Sequence, residues 1–138
     1  MSTTTSRHDA AAPGSLPEEV RTVVRAARDK KAIDLVVLDL RPIAGFTDFF
    51  VVCSGQNARQ VQAIADAIEQ SLKAVQVRPA HVEGYERADW VLLDYFDFIV
   101  HVFGRERREF YALERLWGSA ERVELAADLS PRPQSART

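Results

Sequence analysis

The stretch TDFFVVCSGQNARQVQAIADAI, residues 47–68, changes its hydrophobic period part-way along, and that change decides the fold. In TDFFVVCS, residues 47–54, apolar side chains occupy both alternating faces, as in a strand covered on both sides. Gly55 ends that run. Asn57 and Gln60 stand at a capping spacing, and Val61, Ile64, Ala65, Ile68 and Leu72 then recur at helical spacing. A strand buried on both faces that feeds a one-faced helix belongs to a sheet covered by helices.

Upstream, AIDLVVLDL, residues 32–40, is a second aliphatic strand, and the short RPIAG connection implies that the two pair. A helix over residues 16–30 precedes it, with Ser15 and Glu18 at capping-box spacing, Pro17 in the first turn, and Val20, Val23, Val24 and Ala27 as its apolar stripe. Downstream come an extended piece around Val77 to Val82, a turn at Gly84, and the strands WVLLDY (90–95) and FIVHVF (98–103), joined by a hairpin around Phe96 and Asp97. A last helix, residues 105–117, presents Phe110, Leu113, Leu116 and Trp117 and stops at Gly118. The expected fold is α/β (α+β), a mixed sheet of about five strands flanked by helices. Residues 1–14 and 126–138 read as tails around one domain, residues 15–125.

At 138 residues the chain has room for one hydrophobic core. Its 46% hydrophobic and 28% charged residues are ordinary for a globular protein, and no apolar run is long enough to span a bilayer. Residues 1–15 lack the apolar stretch of a secretory signal, and the single Cys53 fits a reducing compartment, so a cytoplasmic location is expected. A net charge of −2 argues against nonspecific DNA or RNA binding. Acids gather from Glu83 to Asp97, where Glu86, Asp89 and Asp94 join them against Arg87 alone. Such a run is either a solvated turn region or a complement to a basic partner.

No catalytic constellation emerges. SGQN at residues 54–57 leads from a strand into a helix N-terminus, but without further glycines or a lysine it is a plain turn rather than a phosphate loop. Asp94 and Asp97, with His101 behind them, invite a metal reading, yet carboxylates sharing a metal from one strand need alternate positions and these are three apart. His101 reads as a buried histidine bonded to backbone or to an acid. Cys53 lies in an apolar strand with no histidine close in sequence to activate it. Aromatic residues suggest binding instead. Tyr111 falls off the apolar stripe of the last helix, among Arg107, Arg108 and Arg115, as either a recognition surface or a cover for the sheet edge. Trp90 is either a core lid or an anchor for a partner.

TDFFVVCSG, NARQVQAIADAI, the pair Glu83–Gly84, ADWVLLDY, FIVHVF and RREFYALERLW, in that order, give the chain its resemblance to the ribosomal silencing factor S (iojap-like) family over roughly residues 18–124. It departs at Phe96, where many members have glycine, and at Asn57, where serine is common. The resemblance implies a nucleotidyltransferase-like fold without working catalytic residues, hence no enzyme, metal or cofactor. It implies binding to ribosomal protein fourteen of the large ribosomal subunit, which keeps the small subunit from joining and represses translation under nutrient limitation. Homodimers are common in the family, and organelle members look like large-subunit assembly factors. By position it implies Trp90, Asp94 and Asp97, with Arg108 and Tyr111, as partner-binding residues, and His101, Glu114 and Trp117 as further motif positions. The alternatives are a nucleotidyltransferase-like enzyme and an RNA-binding assembly factor.

Overall fold

The structure, a computed structural model, describes residues 16–105, 121–123 and 125. Among these, two helices and six strands follow one another: α1 (Glu18–Asp29), β1 (Ile33–Asp39), β2 (Phe49–Gly55), α2 (Ala58–Lys73), β3 (His81–Glu83), β4 (Trp90–Asp94), β5 (Phe98–Gly104) and β6 (Glu121–Arg122). They form one mixed sheet in the order β3-β4-β5-β2-β1-β6. Only β2 and β5 run parallel, Phe49 opposite Phe98 through Gly55 opposite Gly104. The expected strand pairing of β1 with β2 and the hairpin of β4 with β5 are both present. The sheet has six strands rather than about five because Glu121 and Arg122 extend it beyond β1, a pairing too short to leave a periodic signal in the sequence.

β2 is central, and all seven of its residues are buried. Its odd-numbered residues Phe49, Val51 and Cys53 face the helices together with Val91, Leu93, Phe98, Val100 and Val102. Val20, Val23, Val24 and Ala27 of α1 and Val61, Ile64, Ala65, Ile68 and Leu72 of α2 complete this main core. Burial of each Val, Ile or Leu side chain among them stabilises the fold by roughly 1.5–3 kcal/mol. Asp39 is buried on β1 and is answered by a forked contact from Arg41, whose Nε donates to Oδ1 at 2.8 Å and whose guanidinium lies 5.0 Å from the Phe49 ring centre.

The first helix begins at Glu18 directly after Pro17; Ser15, and with it the expected capping box, lies outside the described residues. The second helix is capped as expected, Asn57 Oδ1 accepting from the Gln60 N–H at 2.9 Å while Gln60 Oε1 accepts from the Gln56 N–H at 2.6 Å. The helix expected at residues 105–117, apart from Arg105, and the two tails lie outside the described residues.

Candidate functional site

Alternation along the strands sends Leu38, Phe50, Val52 and Phe103 to the face of the sheet opposite the helices, where they form a second buried cluster with Leu40. Val36, Ala44, Trp90 and Ile99 pack against it. Trp90 sits opposite Phe103 in the β4–β5 register, and the two rings stack with centres 4.9 Å apart. Its indole N–H donates to His101 Nδ1 at 3.1 Å, and the His101 ring meets Phe50 edge-on at 4.6 Å. Phe50 in turn meets the exposed Phe46 at 6.2 Å. Aromatic rings thus form a continuous chain across this face from Trp90 to Phe46.

His101 is buried as the sequence predicts, but its partner is an indole rather than backbone or an acid. An indole N–H only donates, so Nδ1 must accept and the ring proton sits on Nε2. Burial away from water pushes the ring's pKa down to about 4. A second ring proton would also set two donors against each other at Nδ1. His101 therefore holds the Trp90 indole in place as a neutral ring at physiological pH.

Trp90 and the two aspartates occupy opposite ends of β4. The strand rise puts Trp90 and Asp94 about 13 Å apart. Asp94 turns its carboxylate back on the chain, Oδ1 accepting from the Phe96 N–H at 2.9 Å. Asp97 is exposed, and its carbonyl accepts from the Asp48 and Phe49 N–H groups at 2.9 and 3.3 Å. Between them Phe96 adopts φ +72° and is 71% exposed. The structure thus brings Asp94 and Asp97 together, and Trp90 together with His101, as two separate patches. Arg108, Tyr111, Glu114 and Trp117 lie outside the described residues.

The three possible chemical sites fare as follows. At the α2 N-terminus the Gln56 and Gln60 N–H groups are already taken by the side chains of Gln60 and Asn57, and Arg105 Nη1 donates to Gln56 Oε1 at 3.3 Å. Cys53 is wholly buried in the main core. Among the described residues no three His, Cys, Asp or Glu side chains converge as metal ligands. Sequence reasoning missed the β1–β2 loop, treating RPIAG as punctuation. Ile43 and Phe46 on that loop are 41% and 58% exposed. The available signal was Phe46 itself, an aromatic just outside a strand whose own aromatics were already accounted for.

Comparison with known proteins accords with this architecture. A curated protein of Halalkalibacterium halodurans named "Ribosomal silencing factor RsfS" is 42% identical over 113 residues, 82% of this chain and 97% of its own length. A crystal structure from Bacillus halodurans superposes with a TM-score of 0.71 at 41% identity, covering 78% of this chain and 98% of that one. A mouse protein named "Mitochondrial assembly of ribosomal large subunit protein 1" is 29% identical over 102 residues, 72% of this chain and 45% of its own length. The family profile described as "Ribosomal silencing factor during starvation" matches residues 13–138, and the chain belongs to that family.

Proposed function

We propose that this protein binds the large ribosomal subunit through ribosomal protein fourteen, and that its bulk there keeps the small subunit from joining, so that translation is repressed when nutrients are short. Family membership carries the reading. The name of the mouse relative, which refers to the large ribosomal subunit, supports the choice of subunit. Surface chemistry supports the mode of action. A ribosomal protein lies against RNA and is typically basic, and the Asp94–Asp97 hairpin with Trp90 offers it acids and an aromatic anchor. Blocking by bulk needs no reacting group, which fits a cysteine sealed in the core and an Asp94 carboxylate held by its own turn. The protein would act in the cytoplasm, among the ribosomes. No helix among the described residues is long and apolar enough to cross a membrane.

The test is sedimentation through sucrose gradients. The protein should travel with isolated large subunits and not with small ones, and when added before mixing it should lower the yield of joined ribosomes. Sedimentation with neither subunit, or unimpaired joining at saturation, would overturn the proposal. Turnover of nucleoside triphosphates with magnesium would instead favour the nucleotidyltransferase alternative.

A further inference from the structure

We infer that Phe96, with Phe46 on the loop bonded to its turn, is an apolar anchor that enters a recess on a basic protein partner, the acids next to it steering and framing the contact. The inference rests on the ribosome-binding reading and adds to it residues that the resemblance did not supply. Three observations carry it.

The first is backbone conformation. The Asp97 N–H donates to the Tyr95 carbonyl at 2.8 Å, closing a γ-turn centred on Phe96 at φ +72°. That half of conformational space is strained for any residue carrying a Cβ, a bulky aromatic one included, and glycine adopts it freely. A strained residue held at a turn tip marks a place where something other than folding sets its identity. The second is exposure. Phe96, Phe46 and Ile43 are 71%, 58% and 41% exposed, and their two loops are stitched together by Thr47 Oγ1 donating to the Phe96 carbonyl at 2.8 Å and by the Asp48 N–H donating to the Asp97 carbonyl at 2.9 Å. Exposed aromatics on two loops braced against each other have the character of an interaction site.

The third is charge. Asp94 and Asp97 flank the Phe96 turn, the Asp94 carboxylate accepting from the Phe96 N–H, and Asp48 is tied to it by its own N–H on the Asp97 carbonyl. Arg41 is largely buried against Asp39 and also faces the Asp48 charge, and His81, opposite Asp94 in the β3–β4 register, contacts Glu83 at 2.9 Å, which leaves Asp94 and Asp97 as the acids of the turn itself. The tip is therefore apolar with an acidic rim. Such a rim repels RNA phosphates, anionic lipids and a second copy of itself, and it complements a protein surface bearing Lys or Arg around an apolar recess.

Phe96→Gly separates binding from folding, because it removes the ring and the strain together. The variant should melt at the wild-type temperature or above it, yet bind large subunits about tenfold more weakly, as loss of an anchoring aromatic does. Phe96→Tyr should restore most of the affinity. The salt dependence of binding should be unchanged in Phe96→Gly and altered in Asp97→Lys. Wild-type affinity in a folded Phe96→Gly protein would sink the anchor while leaving the ribosome reading intact. Failure of the wild-type protein to bind large subunits would sink both. Loss of a dimer in gel filtration on Phe96→Gly would identify a second copy as the occupant and overturn the inference.

Discussion

Two residues show how single side chains set local stability here. The folded chain holds His101 at a pKa of about 4 against 6.5 for an ordinary histidine. Between those values the unfolded chain binds the extra proton and the folded chain does not. Stability is therefore level above pH 6.5 and falls as pH drops toward 4, by at most about 1.4 kcal/mol per pH unit from this group. Urea midpoints measured from pH 7 to 4.5 should fall more steeply for wild type than for His101→Gln; parallel curves would show that the ring is protonated in the fold. Gly84 is the second case. It has φ +81°, and an added Cβ would lie 2.0 Å from the Trp90 carbonyl oxygen. Gly84→Ala should cost about 2 kcal/mol or more, combining left-handed strain with backbone overlap, as measured by thermal melting. The sequence marked Gly84 as a turn but gave no hint that the turn presses against the strand carrying Trp90. It showed His101 as buried but not its partner, because a contact across β4 and β5 leaves no local trace.

At the scale of an element, α2 was the most legible part of the chain because its signals agree. Cap, period and terminus all lie within residues 57–73 and need no distant partner. Ile64 is fully buried, so Ile64→Ala should cost about 2–5 kcal/mol, whereas Gln70→Ala on the exposed face should cost almost nothing. Asn57→Ala should cost about 1 kcal/mol, since it frees the Gln60 N–H. Denaturation midpoints check all three, and equal effects of Ile64→Ala and Gln70→Ala would mean the helix faces are misassigned. α1 was placed within two residues of its ends. β6, by contrast, was missed. It exists because β1 offers Leu38 and Asp39 as partners, and Glu121 and Arg122 by themselves carry no strand signal.

Across the whole molecule the proposed binding surface has two separate ends, Trp90 with His101 at one and the Asp94–Asp97 hairpin at the other. If both touch the ribosome, Trp90→Ala should weaken binding by about 2 kcal/mol or more. Trp90→Phe is the control, because it keeps a ring on Phe103 and loses only the donor to His101. Asp97→Lys should mainly slow association and reduce its salt sensitivity, and it is the cleaner reversal because the Asp94 carboxylate also holds the hairpin. Subunit joining is the readout for variants with normal melting curves. Folded Trp90→Ala and Asp97→Lys proteins that still block joining would place the contact on another surface. The sequence by itself determined the central strands, the amphipathic helices α1 and α2, the hairpin and the family, because each is written in local period or in a run of neighbouring residues. Tertiary structure alone decided that β5 lies parallel to β2, that Trp90 stands a strand's length from Asp94, and that the loop carrying Phe46 is bonded to the turn carrying Phe96. Those facts depend on which distant segments pair, and pairing is set by the burial of both sheet faces at once rather than by any residue's neighbours in the chain.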